Sequence, residues 1–170
     1  MPHSAPEARG ALPRVVVSDA GPLISLGRLD LLGLLPGLFA EVQVPAQVLQ
    51  ECAARPGNDD FTRIMGAVSR GWLTPCNAVP IEDKTLGQGE RAAIARALEI
   101  GAGLLADDQD ARRHAESLGV HTIGTLGVLV RAKRAGTLAD IKPLIDRLRA
   151  GGQRLGASAV AQALAAADEA

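Results

Sequence analysis

The feature that most constrains this chain is a run of adjacent β-branched residues that stops on an acid, Arg14-Val15-Val16-Val17-Ser18-Asp19. Three apolar neighbours without alternation leave no polar face, so the strand is expected to be buried on both sides of a sheet. The segments that follow fit such a sheet. A leucine-rich helix is expected over about Pro22–Leu32, with Pro36-Gly37 as punctuation. Glu41–Val44 reads as a second strand, and Pro45 suits the first turn of a helix running past Glu51 to Cys52. Pro56–Asp60 is expected to end that helix, and the next covers about Phe61–Arg70 and stops at Gly71. The stretch Thr74–Gln88 reads mostly as loop, with a short edge strand near Ala78–Ile81.

Gly89-Glu90 opens a helix over Arg91–Ile100, closed by Gly101 at a position that favours glycine. Leu104-Leu105-Ala106 is a strand that ends on Asp107-Asp108, and Asp110 is the candidate cap of a helix over Ala111–Leu118. Val120–Ile123 is a further strand. Thr125 is the candidate cap of a helix over about Leu126–Ala135, Asp140 opens one over Ile141–Ala150, and Ala159–Ala167 is the last. Repeated strand–helix alternation defines an α/β fold with a parallel sheet. The expected division is a loose tail over 1–13, one domain over 14–150 and a helical extension over 151–170.

In such sheets ligands sit outside the carboxyl ends of the strands. Asp19 and the pair Asp107-Asp108 both follow strands directly, so they should face one crevice. Glu51 lies two turns into the helix after the second strand, and Glu90 lies at a helix start between glycines and an alanine-rich run. Each has an ordinary explanation when taken alone. A carboxylate at a helix N-terminus gains roughly 0.3–1 kcal/mol from the dipole, Glu51 could be a solvated helix residue, and Asp108 could cap a helix. Together they are harder to dismiss, because carboxylates gathered at one sheet edge repel one another unless a divalent cation neutralises them. Oxygen-only ligation suits Mg²⁺ or Mn²⁺. Such ions activate water and stabilise the charge of an in-line phosphoryl displacement. His3, His114 and His121 are too scattered for a zinc site.

Composition narrows the partners. Aromatics make up 2% of the chain, with no tyrosine, so base stacking on ring platforms is disfavoured. The net charge of -1 excludes a globally basic nucleic-acid binder but not a nuclease. Cys52 and Cys76 lack metal-ligand spacing and are too few for a disulfide framework, which points to a cytoplasmic protein. The polar stretch Pro2–Gly10 is not followed by a signal-peptide core. Leu23–Leu38 is too interrupted to span a bilayer.

The stretches Val16-Val17-Ser18-Asp19-Ala20-Gly21-Pro22-Leu23-Ile24, Val44-Pro45-Ala46-Gln47-Val48-Leu49-Gln50-Glu51 and Leu86-Gly87-Gln88-Gly89-Glu90-Arg91-Ala92-Ala93-Ile94-Ala95 resemble successive motifs of the PIN-domain superfamily. Leu104-Leu105-Ala106-Asp107-Asp108-Gln109-Asp110-Ala111-Arg112 and Gly124-Thr125-Leu126-Gly127-Val128-Leu129 complete the series. The wording is similar to the DUF3368 branch, close to the toxin half of VapBC-type modules, over about residues 14–150. The resemblance implies a three-layer fold with a parallel sheet in the order 3-2-1-4-5. It also implies a Mg²⁺- or Mn²⁺-dependent endoribonuclease, an RNA substrate, a toxin restrained by an antitoxin protein, and a homodimer. The catalytic set it implies is Asp19, Glu51, Glu90, Asp107 and Asp108, with Asp19, Glu90, Asp107 and Asp108 as metal ligands.

The fourth acid has two registers. The usual pattern places it two residues after a strand-end threonine, which selects Asp108, whereas this branch favours Asp107. Two departures from the motif concern neighbouring groups: Ala20-Gly21 stands where hydroxyl or amide residues are common, and Ala106 stands where that threonine would be. Arg112 is a candidate for holding a phosphate or pairing with a site carboxylate, while Arg113 reads as an ordinary helix surface. Arg131, Lys133 and Arg134 suit either an RNA backbone or a solvated face. Gly124-Thr125 offers backbone N–H groups and a hydroxyl to the crevice, with capping as the simpler account. The competing reading is a catalytically weak PIN-like module that binds RNA or a protein. A receiver domain would carry its acidic pair after the first strand, and a haloacid-dehalogenase phosphatase would need an acid where Gly21 stands.

Overall fold

The computed structural model describes residues 13–55 and 59–170. The expected N-terminal tail therefore lies almost wholly outside the described residues. At the centre is β1 (Val15–Ser18), paired in parallel with β2 (Glu41–Pro45) on one side and β4 (Gly103–Leu105) on the other. β3 (Thr74–Cys76) lies outside β2, and β5 (Thr122–Ile123) outside β4, so the order is β3-β2-β1-β4-β5. The parallel sheet and its strand order are as the motifs implied. Val16 and Val17 are fully enclosed, as two-sided burial of the valine run requires.

The chain winds outward from β1 through β2 to β3, then returns across β1 to build β4 and β5. The winding thus reverses between β1 and β4, and a crevice opens at the carboxyl ends of those two strands. Asp19 and Asp107 flank it. The Asp19 N–H donates to the Leu105 carbonyl at 2.8 Å, which ties the two strand ends together directly above the reversal.

The helices are α1 (Ala20–Arg28), α2 (Leu35–Leu38, preceded by a 3-10 turn over Leu32–Leu34), α3 (Ala46–Ala53), α4 (Asp59–Ser69), α5 (Gln88–Ile100), α6 (Gln109–Ser117), α7 (Thr125–Arg134), α8 (Lys142–Ala150) and α9 (Ala157–Ala166). α1 starts immediately after Asp19 and α3 immediately after Pro45, so both acid-bearing segments pass from strand to helix without a loop. Pro45 closes β2 and occupies the N-cap position of α3 rather than its first turn. Gly101 ends α5 at φ +66°, the left-handed geometry that glycine adopts without strain.

Several boundaries differ from the sequence reading. Pro36-Gly37 lies inside the short α2 instead of breaking the chain, because proline is tolerated in a first helical turn. Asp59 and Asp60 open α4 rather than ending α3, and acids at that end oppose the helix dipole favourably. The rest of the expected breaker, residues 56–58, lies outside the described residues. The edge strand is Thr74–Cys76, not Ala78–Ile81. α8 opens at Lys142 with Pro143 in its first turn, and its leading N–H groups are taken by Glu169 rather than Asp140.

The core is aliphatic, as the scarcity of rings required. Leu23, Leu26, Leu29, Leu32 and Leu35 are all buried within the chain. Val160 and Ala163, with Ala167 at the C-cap, carry α9 into the same core, against α7. Among the described residues, no helix is long and apolar enough to cross a membrane.

Candidate functional site: an acidic crevice at the strand reversal

Asp19 occupies the N-cap position of α1, yet its side chain makes no cap hydrogen bond there. It is 6% exposed, and its Oδ1 has no hydrogen-bond partner among the described residues. Burial pushes its carboxyl up to about 7; the Ala20 N–H opposes this, and the charges of Glu90, Glu51 and Asp107 add to it. A buried carboxylate oxygen without a donor is a costly arrangement.

Glu51 projects from the exposed side of α3, and its Oε1 accepts the Gly89 N–H at 2.9 Å. This bond crosses from α3 to the first turn of α5. It depends on glycine: a Cβ at position 89 would stand 2.5 Å from Glu51 Oε1. Glu90, in the same turn, reaches back so that its Oε2 accepts the Gly87 N–H at 3.0 Å. Its carboxyl is also raised, first by burial, with the Gly87 N–H opposing, then by Asp108, Glu51 and Asp110. The ordinary role expected of Glu90, completing a helix start, and its place among the acids are therefore both present.

The two candidates for the fourth acid separate in the structure. Asp108 is the N-cap of α6, with Oδ2 accepting the Ala111 N–H at 2.9 Å. It takes the capping role expected of Asp110, which instead pairs with Arg113 at 3.8 Å. Asp107 turns the other way. Its Oδ1 accepts the Thr125 N–H at 2.7 Å and its Oδ2 accepts the Thr125 hydroxyl at 2.6 Å. Asp107 adds its charge to Asp19, while Asp108 adds its charge to Glu90. Asp107 thus sits beside the strand reversal, and Asp108 borders the crevice with one oxygen committed to the helix.

Thr125 is not the cap of α7; Gly124 occupies that position. Freed from capping, the Thr125 hydroxyl orients Asp107, which is the role the strand-end Ala106 cannot perform. Close approach matters here as well. A Cβ at Gly124 would stand 2.6 Å from Arg112 Nη1 and 3.1 Å from Asp107 Oδ1, and one at Gly21 would lie 3.5 Å from Asp107 Oδ2. Arg112 therefore packs against the Gly124 backbone at the mouth of the crevice. Arg113 bonds Gln109 and Asp110 on an exposed surface, as expected. Sequence reasoning missed Gly89 and Gly124 as positions that admit a carboxylate or guanidinium; their place beside the acidic motifs was the available signal.

Among the described residues, no three histidine, cysteine, aspartate or glutamate side chains converge as a ready-made ligand group. The donor chemistry nevertheless fits a hard divalent cation, because the crevice offers carboxylate oxygen alone and one of those oxygens is buried and unpartnered.

An α/β domain with acids on either side of a strand reversal is the class these features define. Sequence and structure comparisons agree on which one. The profile of the family DUF3368, described as PIN domain, matches residues 15–169, so the chain belongs to that PIN-domain family. The match takes in α9 as well as the sheet. Among solved structures, a PilT N-terminus domain protein, SSO1118 from the archaeon Sulfolobus solfataricus P2, is similar with a TM-score of 0.54 and 25% identity, covering 74% of this chain and 95% of that one. No curated protein matches the chain. PIN domains are commonly nucleases and generally use divalent metals.

Proposed function

We propose that this chain is a Mg²⁺- or Mn²⁺-dependent endoribonuclease, and the observation that carries the reading is the buried, unpartnered Oδ1 of Asp19 among like charges. Asp19, Glu90 and Asp107 would hold the cation, with the free oxygen of Asp108 at the border. When bound, a divalent ion there lowers the pKa of water and offsets the charge that builds up on phosphoryl oxygens. The chain's own groups do the rest. Thr125 holds both oxygens of Asp107 in place. Gly89 anchors Glu51 through Oε1, which leaves Oε2 to accept a proton from the attacking water. Arg112, at the mouth, meets the charge of the phosphate being cleaved.

A mixed RNA pool incubated with Mn²⁺ tests the reading: wild type cleaves it, and Asp19→Asn does not. Equal cleavage by both, or none by wild type, removes it. The biological corollary, a toxin held in check by an antitoxin that covers the crevice, rests on the likeness to toxin-type PIN sequences. Arrested growth on expression of the wild type but not of Asp19→Asn would support it.

A second reading, a catalytically weak module that binds RNA or a protein, is favoured by the double engagement of Asp107 with Thr125. Calorimetry separates the two readings. Stoichiometric Mn²⁺ binding without cleavage selects the weak module, and binding with cleavage selects the enzyme.

A further inference from the structure

A groove of about 610 Å³ runs from Asp107 along the ends of β5 and between α7 and α9. Arg112, Arg131, Arg134 and Arg154 line it, and Asp107, at its inner end, is the one carboxylate among the lining residues described. Its floor is aliphatic, with Ile123, Val130 and Ala163.

The state of these arginines distinguishes them from an ordinary charged surface. Elsewhere on α7, Lys133 is neutralised by Glu169 at 3.0 Å and Asp140 at 3.7 Å. Arg134 is held by the Ala166 carbonyl at the end of α9, through Nε at 3.2 Å and Nη2 at 3.0 Å. Arg131 is half-buried, and both its burial and the neighbouring Arg134 cation disfavour its charged form. Within the groove, then, Arg131 and Arg134 lie close to one another on apolar walls, and four guanidiniums face Asp107 as the one carboxylate among the lining residues described. That arrangement is stabilised by an anion, and guanidinium forks match phosphate oxygens.

We propose that this groove is a phosphate-binding track that holds the sugar–phosphate backbone of single-stranded RNA on one side of the bond presented to the acids. The identity of the strand rests on the nuclease reading above; the anion preference rests on the groove itself. The volume lies within the range of small-ligand clefts, roughly 300–1,000 Å³, which suits a few backbone units. The scarcity of rings leaves phosphate contact rather than base stacking as the means of grip, so binding should be tolerant of sequence and strongly dependent on salt. On this assignment α9 is a wall of the substrate path.

Anisotropy of a fluorescein-labelled ten-nucleotide oligouridylate, with EDTA present to prevent cleavage, tests the proposal. Arg131→Gln and Arg154→Gln should each weaken binding about three- to tenfold and flatten the dependence of log K on log salt by roughly 0.7. Arg154 is exposed, so its variant is expected to fold even if the Arg131 variant does not. Arg149→Gln, on the exposed side of α8, should bind as wild type does. Asp19→Asn should retain binding, which separates the two assignments. RNA cleavage and RNA binding both unaffected by the two groove substitutions would overturn the track and leave the nuclease standing. Binding lost in those variants, with no cleavage by wild type, would do the reverse. Absence of binding by wild type overturns the track, as does polyglutamate binding as tightly as the RNA with the same response to the substitutions, which would mark a surface for acidic proteins.

Discussion

Two carboxylates of this chain show opposite uses of the same group. Glu169, near the C-terminus, is fully engaged: it accepts the Ile141 N–H at 2.9 Å and the Lys142 N–H at 3.1 Å, and pairs with Lys133. Those donors, led by the Ile141 N–H, hold its carboxyl below the ordinary range. Asp19, at the centre of the sheet, is buried with an oxygen unpartnered and neighbours of its own sign, and its carboxyl is driven up to about 7. The first fastens α9 to the start of α8 and favours folding. The second opposes folding and is retained at the place where a cation and a substrate would meet. Misplaced charge at a strand reversal, set against satisfied charge a few helices away, separates the working part of the molecule from its scaffold.

Asp19→Asn breaks the comparison most severely. RNA cleavage should fall by about 100-fold or more, while the protein itself becomes more stable at pH 8, by on the order of 2–4 kcal/mol in metal-free buffer. Activity assays and denaturant titration read the two effects, and loss of stability would show that Asp19 is a structural residue. The sign follows from its raised pKa. Between about pH 4, where an unfolded aspartate ionises, and about 7, where the folded one does, wild-type stability should decline as pH rises. Mn²⁺ affinity should rise through the same window, because binding requires the carboxylate.

Gly89→Ala tests Glu51 next. The new methyl meets only the far end of a flexible glutamate, so Tm should change by no more than a few degrees. The carboxylate must swing away, and kcat should fall roughly tenfold or more. An unchanged kcat would mean that the Gly89–Glu51 bond is merely a helix tie. Thr125→Val removes the hydroxyl bond to Asp107 but keeps the backbone one, and Mn²⁺ affinity by calorimetry should drop about three- to tenfold.

Glu169→Gln has the smallest expected consequence, a lower Tm at neutral pH with cleavage unaltered. A lowered carboxyl pKa contributes stability above the unfolded value, about 4.3, and that contribution disappears as pH falls through the folded value. The Tm difference between wild type and variant should therefore close in acid, opposite in direction to the effect at Asp19.

Much of this was legible before any coordinates. The unalternating Val15–Val17 run placed a central strand, and an acid directly after it had to stand at the sheet's carboxyl edge. Helices closed by glycine were legible too, as Gly101 shows. The edge strand was not: Thr74–Cys76 is short, contains proline and is largely exposed, so it has no hydrophobic pattern to read. Asp59-Asp60 misled because acids serve turns and helix starts equally well.

The sequence alone determined that Asp19 and an Asp107-Asp108 pair follow strand tips, that Glu90 stands at a helix start and that Glu51 lies two turns into a helix, because local periodicity and two-sided burial are encoded in neighbouring residues. Tertiary structure decided which of that pair turns toward the strand reversal and which caps α6, because the choice hangs on Thr125, 18 residues farther along the chain. It also decided that Lys133 is neutralised by Asp140 and Glu169, which follow α7 in the chain, while Arg131 lines a groove whose one described carboxylate is Asp107. Charges adjacent in sequence acquire different roles only when distant segments supply, or withhold, the groups that answer them.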